Sequence, residues 1–144
     1  MERVEDQISQ KFPHFDGKKL LSEPPCYTSM QASLLEYDSN RVTVAIPVLE
    51  SYLNPAGSMQ GGFITAAFDN VFGPLCLLAT GTPRTAAINI ITTYHRPVFK
   101  GDSLVITATV KNSGNTAVYM EAEAYNKEGK HIASASSSYI IRRK

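Results

Sequence analysis

The stretch from Asn54 to Asp69 holds the residue types of this sequence that are best suited to chemistry. It begins with a polar, glycine-rich segment that includes Asn54, Gln60, Gly61 and Gly62. Adjacent glycines at the start of a helix leave backbone N–H groups unpaired and unobstructed. Such a terminus attracts a phosphate, or the oxyanion that develops when a carbonyl is attacked.

Asp69 is the one acidic residue in the apolar run from Phe63 to Ala79. A carboxylate in apolar surroundings costs several kcal/mol to bury unless it finds donors or water, so we expect this one to have a use. Beside a carbonyl it would act as a general base for water or as a nucleophile. The alternative is a hydrogen-bonded aspartate at a subunit interface, and the sequence leaves both interpretations open.

The spacing between Asp69 and the glycine pair limits how they can cooperate. A helix rises about 1.5 Å per residue, so Asp69 would lie roughly 12 Å along the helix from Gly61, too far to reach the same carbonyl in one chain. Two such helices running antiparallel across a two-fold axis would place each Asp69 near Gly61 of the other chain. The spacing therefore predicts a site shared by two subunits and an obligate oligomer.

The N-terminal part of the sequence predicts one short helix followed by a strap. Val4, Ile8 and Phe12 recur every four residues before Pro13, which is typical of an amphipathic helix. Prolines and glycines in residues 13–28 predict an irregular, partly extended segment. We therefore expect an N-terminal helix and strap at 1–29.

The remainder, 30–144, predicts two strands, one long helix and four more strands. Alternating apolar residues separated by turn residues predict strands at about 32–37, 41–48, 85–94, 103–111, 117–126 and 130–141. The run that begins at Gly61 is apolar on nearly every side, as expected of a helix wrapped by protein. An α+β fold with a curved antiparallel sheet around a single helix fits this order. An open α+β sandwich is the alternative.

Composition and charge exclude several classes of protein. The chain has 144 residues, of which 43% are hydrophobic, so we expect one folded domain rather than disorder. The 14 Lys and Arg nearly balance the 13 Asp and Glu, and a net charge of +1 predicts neither nucleic acid nor an anionic membrane as a partner. The apolar run 63–79 is shorter than the roughly 20 residues that a bilayer span needs.

The two cysteines, Cys26 and Cys76, are too few for a disulfide framework. The first ten residues contain no apolar segment typical of an export signal, so we expect a reducing, cytoplasmic location. No CxxC or HExxH spacing occurs, and we expect no metal. Cys76, within the apolar run, is interpreted as packing.

The sequence contains the pattern Asn54…Gly57…Gln60-Gly61-Gly62…Asp69, followed by Tyr94-His95-Arg96-Pro97 and Gly101-Asp102. In this pattern it resembles the hotdog-fold acyl-CoA thioesterases of the PaaI type. The resemblance extends over residues 30–141. It implies a hotdog fold, with six antiparallel strands wrapped on the central helix, and a homodimer or homotetramer. It also implies hydrolysis of an acyl-CoA, with no cofactor besides the CoA of the substrate.

The resemblance further implies roles for individual residues. Gly61 would donate its N–H to the thioester carbonyl, with Gly62 beside it, and Asn54 would help to order the site. Asp69 of the partner chain would activate water or attack the carbonyl. Many relatives have His where Gln60 stands, and a Gln amide donates a hydrogen bond but carries no proton.

A hydroxyl and a set of cations complete what the resemblance implies. Some relatives place Ser or Thr near the water at the position of Ala87, and Thr85 or Asn89 are the candidates to replace that hydroxyl. CoA carries phosphates that need cations. The candidates that flank the expected groove are Arg84, Arg96, Lys100 and Lys111, joined by the turn residues Gly114 and Asn115; each cation alone also fits a solvated surface charge.

Two other functions remain as alternatives. A non-catalytic acyl-CoA binding or regulatory module would grip its ligand through Gly61 without activating water. A hotdog hydratase or dehydratase needs a histidine paired with an acid, and Gln60 removes the obvious one. His95 and His131 have no evident carboxylate partner in the sequence, which disfavours a Ser-His-Asp hydrolase. The acyl group stays open, with an aromatic pocket built from Phe63, Phe68 and Phe72 as one possibility.

Overall fold

The computed structural model describes residues 2–142, which form four α-helices and six β-strands. In chain order the elements are α1 Val4–Lys11, α2 Gly17–Ser22, α3 Pro25–Thr28, β1 Ser33–Tyr37, β2 Arg41–Pro47, α4 Gly61–Thr80, β3 Thr85–Tyr94, β4 Ser103–Ser113, β5 Ala117–Tyr125 and β6 His131–Ile141. A short 3₁₀ turn at Glu50–Tyr52 lies between β2 and α4. The predicted N-terminal helix and the predicted order of two strands, one long helix and four strands are confirmed.

The six strands form one antiparallel sheet in the order β1-β2-β4-β5-β6-β3. Alternate residues of the strands point to α4, and these positions are buried; on β4 they are Leu104, Ile106 and Ala108. The sheet wraps around α4 and the predicted hotdog architecture is confirmed. Strands β1 and β3 lie at the two edges, each paired on one side within residues 2–142.

Helix α4 begins after Gln60 and ends before Gly81, whose φ of +69° gives a left-handed C-cap. It runs through Pro74 as one continuous helix of 20 residues. Phe68 and Phe72 on its sheet-facing side are fully buried. At 20 residues the helix is longer than the apolar run 63–79. By length and composition it could cross a membrane, but the core helices of folded domains share these features, and half of this helix is buried in the fold.

One face of α4 is open to solvent in the single chain, which corrects the expectation of a helix wrapped on all sides. Gly62, Ala66 and Asp69 are exposed along this face. Because they are spaced four and three residues apart, they form one stripe on the helix surface. The sheet of one chain covers only the opposite side of the helix. The sequence pattern did not predict the exposed stripe, because Gly62 and Ala66 are small and apolar like the buried residues beside them.

Edge strand β3 also carries exposed apolar side chains. Ile88 and Ile91 expose 59% and 61% of their surfaces. Ile88 lies at a β-bulge, where the register with β6 shifts between Ala87 and Asn89. An exposed apolar edge strand is a ready template for pairing with another strand.

The segment 13–28 is not the irregular strap that its prolines suggested, because it contains α2 and α3. Asp16 caps α2 by accepting hydrogen bonds from the N–H groups of Lys18 and Lys19, and Pro25 occupies the first turn of α3. Prolines are compatible with the first turn of a helix. Ile8, Leu21 and Tyr27 join the buried core, so the N-terminal segment packs against the same core as the sheet.

Candidate active site

The loop before α4 is held by the side chain of Asn54. Its Oδ1 accepts hydrogen bonds from the N–H groups of Ala56 at 3.0 Å and Ser58 at 3.1 Å, and its Nδ2 donates to the Ser58 hydroxyl at 3.0 Å. Gly57 within the loop has a φ of +83°, which favours glycine. Asn54 therefore orders the loop that leads into α4.

Gly61 opens α4 in close contact with Tyr94 on β3. The Tyr94 hydroxyl donates to the Gly61 carbonyl at 2.7 Å, and a Cβ on Gly61 would lie 2.8 Å from Cζ of that ring. Within residues 2–142 no hydrogen bond reaches the N–H of Gly61 or Gly62. The start of α4 thus offers two unpaired donors beside an aromatic ring that excludes any larger residue at position 61.

A chain of hydroxyls supports this helix terminus. Thr65 Oγ1 lies 2.8 Å from the Tyr94 hydroxyl and 2.9 Å from Thr92 Oγ1. Because the single phenolic proton of Tyr94 goes to Gly61, Thr65 donates to Tyr94 and Thr92 donates to Thr65. No role was predicted for Tyr94, Thr65 or Thr92 from the sequence, although the alternation along β3 places Thr92 and Tyr94 on one face.

A groove of about 490 Å³ opens beside Gly61. Among the residues that line it are Ser58, Ile64, Tyr94, His95 and Arg96. The guanidinium of Arg96 donates to the backbone carbonyl of His131 at 3.0 Å, which holds its side chain against the end of β6. The structure therefore brings one of the expected cations, Arg96, to the groove of Gly61.

Asp69 is exposed in the single chain, and its Oδ1 accepts a 2.8 Å hydrogen bond from the hydroxyl of Tyr139. The expectation of a carboxylate surrounded by apolar side chains is wrong for one chain, because Asp69 lies on the open face of α4. Tyr139 is itself buried, and burial, together with the charge and hydrogen bond of Asp69, raises the pKa of its phenol.

Gly61 and Asp69 lie on the same continuous helix, eight residues apart. The rise of a helix then separates them by roughly 12 Å. One chain therefore does not bring the N–H donors and the carboxylate to one carbonyl. Gln60, the N-cap residue of α4, is exposed, and its side chain makes no capping hydrogen bond.

The two candidates for the missing hydroxyl are engaged elsewhere. Asn89 Oδ1 accepts a hydrogen bond from the Ser138 N–H at 3.2 Å. Thr85 contacts the thiol of Cys76, whose pKa burial raises to about 11. Cys76 is therefore a neutral, buried thiol, as the packing interpretation required. The hydroxyl that contacts Asp69 comes from Tyr139 instead, and sequence reasoning missed it.

Three of the expected nucleotide-contact residues, Arg84, Gly114 and Asn115, lie in a second groove, of about 410 Å³, at the C-terminal end of α4. Its lining includes Gly114 and Asn115 together with the cations Lys11, Arg84 and Arg142, and no carboxylate of residues 2–142 lines it. Arg84 stacks over Phe12 of the N-terminal segment, 5.3 Å from the ring centroid.

The remaining expected cations lie elsewhere. Lys111 lines a groove on the outer sheet face, beside Arg41 and Glu121. Lys100 forms an exposed ion pair with Glu50 at 3.3 Å. An exposed ion pair of this kind contributes little to the free energy of unfolding. Neither Lys100 nor Lys111 lines the groove of Gly61 within residues 2–142.

His131 has a carboxylate partner after all, which corrects the sequence interpretation. Its Nε2 contacts Glu123, and Ser134 donates to the same carboxylate at 2.7 Å and lies 2.9 Å from His95 Nε2. Register places Glu123 opposite Ser134 on the outer sheet face, a contact between separate strands that spacing along the chain hides. The cluster is not a hydrolase triad, because one nitrogen of His131 faces both the serine and the carboxylate.

The three phenylalanines of α4 do not form an acyl pocket within one chain. Phe68 and Phe72 are fully buried and stack on each other with centroids 6.3 Å apart. Phe63 stacks on Tyr52, with ring centroids 4.4 Å apart.

No group of three or more His, Cys, Asp or Glu side chains in residues 2–142 is arranged to hold a metal ion.

Comparison with known proteins points to one family. The family model of the thioesterase superfamily matches residues 56–133. Human acyl-coenzyme A thioesterase 13 is 31% identical over 104 residues, covering 70% of this chain and 73% of the human protein. Acyl-coenzyme A thioesterase PaaI of Escherichia coli K12 is 27% identical over 108 residues, covering 75% of this chain and 76% of that relative.

Solved structures share the fold. The E. coli PaaI protein superposes with a TM-score of 0.74 at 24% identity, over 80% of this chain and 86% of that one. A hypothetical thioesterase of Streptococcus pneumoniae TIGR4, solved with coenzyme A, superposes with a TM-score of 0.70 at 19% identity, over 77% and 85% of the two chains. The fold is thus that of the hotdog thioesterases. The chain belongs to the thioesterase superfamily, as a member of the PaaI type.

Proposed function

We propose that this protein hydrolyses the thioester of an acyl-CoA to a free acid and CoA, at a site that two copies of the chain share. Its place in the thioesterase superfamily makes it a thioester hydrolase. The names of the human and E. coli relatives, both acyl-coenzyme A thioesterases, support an acyl-CoA as the substrate. The S. pneumoniae structure, solved with coenzyme A, supports the same ligand.

One observation carries the proposal: α4 presents unpaired N–H donors at its start and an exposed carboxylate two turns later. The N–H of Gly61, aided by the helix dipole, would donate a hydrogen bond to the thioester oxygen and stabilise the negative charge that develops there. Asp69 would take a proton from water as the water oxygen bonds to the carbonyl carbon. The C–S bond then breaks, and the proton passes to the CoA thiolate. Direct attack by Asp69, followed by hydrolysis of the anhydride, is the variant of this route.

Sharing between two chains follows from the roughly 12 Å that separates Gly61 from Asp69 along the helix. The open stripe of Gly62, Ala66 and Asp69 supports it, because small residues allow a second α4 to approach closely. The free edge of β3, with exposed Ile88 and Ile91, supports pairing with a second sheet. We therefore propose a homodimer, which pairs further in a homotetramer.

Replacing Ala66 by arginine tests this assembly. Ala66 is exposed in the single chain, so the substitution leaves the fold intact, but a long cation on the stripe would separate the two helices. We expect sedimentation velocity to show a monomer and turnover to fall at least tenfold. Ser39→Arg, which adds the same cation to the exposed turn between β1 and β2, is the control. An Ala66→Arg protein that stays oligomeric and active would contradict the shared site.

The CoA nucleotide would need cations along its path. The groove at the C-terminal end of α4 offers Lys11, Arg84 and Arg142 without a carboxylate of residues 2–142, and Arg96 lines the groove of Gly61. These four cations, with Gly114 and Asn115, are the proposed phosphate contacts. Lys111, Thr85 and Asn89 remain candidates from the sequence alone. A cytoplasmic location stays a prediction.

Gln60 would assist as a hydrogen-bond donor only. Its amide exchanges no proton near neutral pH, and Gly61 already supplies the main contact to the oxyanion. We expect Gln60→Ala to lower kcat by less than about 10²-fold and Gln60→His to preserve it. Gln7→Ala, on exposed α1, is the control. If Gln60→Ala leaves hydrolysis unchanged, the side chain contributes nothing to the reaction.

Thiol release from a panel of acyl-CoAs tests the proposal as a whole. The panel would compare short aliphatic, long aliphatic and aromatic acyl groups, with an oxygen ester of the same acids as the control. We expect hydrolysis of at least one thioester and little of the oxygen ester. Binding of acyl-CoA without release of thiol from any member would favour the non-catalytic module instead.

A further inference from the structure

We infer that Tyr139 is a positioning residue for Asp69, which fixes one carboxylate oxygen and leaves the other free for the reaction. The inference rests on the proposed function and adds a residue to it. Neither the comparisons nor the sequence pattern points to Tyr139. The assignment comes from its place beneath α4.

The strand β6 aims Tyr139 at the helix. Alternation along β6 buries Ala135, Ser137 and Tyr139 on the face toward α4, while the serines between them are partly exposed. The Tyr139 side chain exposes only 6% of its surface. Its hydroxyl nevertheless reaches Asp69 Oδ1 on the open face, at 2.8 Å. A buried ring thus delivers one polar group to the surface where chemistry is proposed.

Gly73 leaves room beside α4 for the Tyr139 hydroxyl. Gly73 follows Asp69 by one helical turn, and a Cβ at Gly73 would lie 3.9 Å from the Tyr139 hydroxyl. That distance is ordinary van der Waals contact, so a longer side chain at this position would crowd the hydrogen bond. On the neighbouring strand β3, the residue paired with Tyr139 is Ala87, which has no hydroxyl to offer. The donor to Asp69 therefore comes from β6.

The hydrogen bond has a fixed direction. Burial first, and then the charge and hydrogen bond of Asp69, raise the pKa of the Tyr139 phenol, so it stays protonated across the neutral range. A phenol that keeps its proton donates to a carboxylate. Among residues 2–142, no second hydrogen bond reaches the Asp69 side chain. Oδ1 is therefore held, and Oδ2 is the oxygen available to water or to the thioester carbon.

Holding one oxygen limits the rotation of the carboxylate. A catalytic group that is already oriented loses less conformational entropy on reaching the transition state, which lowers the activation free energy. A misplacement of about 1 Å lowers the rate on the order of 10²-fold. The contribution of Tyr139 would therefore appear in kcat. Substrate binding, which the proposal assigns to Gly61 and the cations, would be unaffected.

Tyr139→Phe tests the role, with Tyr27→Phe as a matched control. Both rings are buried, but the Tyr27 hydroxyl has no hydrogen-bond partner within residues 2–142. We expect Tyr139→Phe to lower kcat by about 10- to 100-fold while KM stays within about twofold. We expect Tyr27→Phe to leave kcat unchanged. Circular dichroism and sedimentation would verify that both variants fold and assemble like the parent.

A double variant separates positioning from packing. In an Asp69→Ala background, adding Tyr139→Phe should lower the residual kcat no further, because the group that Tyr139 holds is gone. An additional loss of the same size as in the parent would overturn the inference, as would an unchanged kcat in Tyr139→Phe alone. If Asp69→Ala itself retains full turnover, the proposed function fails, and that result is distinct from a failure of Tyr139 alone.

Discussion

Turnover of an acyl-CoA is expected to fall by about 10² to 10⁴-fold when Asp69 is replaced by alanine. The carboxylate is the one acidic group on the open stripe of α4, and it supplies the base or the nucleophile of the proposed reaction. Binding of an unreactive acyl-CoA analogue should survive, because the donors of Gly61 are untouched. Steady-state thiol release and calorimetric titration with the analogue measure the two effects separately.

Glu128→Ala is the control for the loss of a carboxylate. Glu128 lies in the β5–β6 turn and forms an exposed ion pair with Lys130 at 3.6 Å, so its removal should change neither quantity. If Asp69→Ala loses binding and unfolds, the aspartate is a structural residue of a subunit interface. If it folds, binds and turns over normally, the proposed reaction is wrong.

Two inactive variants are expected to restore activity when they are mixed. Asp69→Ala keeps the donors of Gly61, whereas Gly61→Val places a side chain against Tyr94 and keeps Asp69. In a mixed dimer with a shared site, one of the two sites contains both intact groups. Random exchange of subunits then recovers about a quarter of the parent activity. The measurement is thiol release after the two proteins are unfolded together and refolded.

The two variants assayed separately, and each refolded alone, are the controls for this experiment. A mixture of Asp69→Ala with Asp69→Ala,Gly61→Val should stay inactive, because no site in it contains an intact Asp69. Activity no higher than the sum of the separate variants, in mixtures that native mass spectrometry shows to contain mixed dimers, would place both groups in one chain. That result would contradict the shared site.

The elements of the fold were predictable from local patterns, because alternation and turn residues mark strands and the apolar run marks α4. The register between strands was not predictable, because pairing depends on contacts between residues far apart in the chain. The contact of Glu123 with His131 and Ser134 shows this, since it exists only across β5 and β6. Two short helices were also missed. Helix α3 begins with Pro25, at a position where a helix accepts proline, and α2 is only six residues long and begins at Gly17 behind its Asp16 cap.

Part of the candidate site could be predicted because its residues are clustered along the chain. Gly61 and Asp69 follow from spacing and residue type alone. Tyr94 and Tyr139 could not be found in this way, because each reaches α4 from a strand that is distant in sequence. The exposure of Asp69 was also hidden, since a pattern of small residues does not reveal which side of a helix the sheet leaves open.

The hydroxyl chain from Thr92 through Thr65 and Tyr94 makes the two N–H donors of α4 unequal. It ends on the carbonyl of Gly61, which belongs to the same peptide group as the N–H of Gly62. Hydrogen bonds in series polarise one another, so electron density drawn toward that carbonyl leaves the Gly62 N–H more positive. The Gly61 N–H belongs to the preceding peptide and gains nothing from the chain. An anion bound at the Gly61 N–H therefore has a second and more strongly polarised donor beside it, the Gly62 N–H.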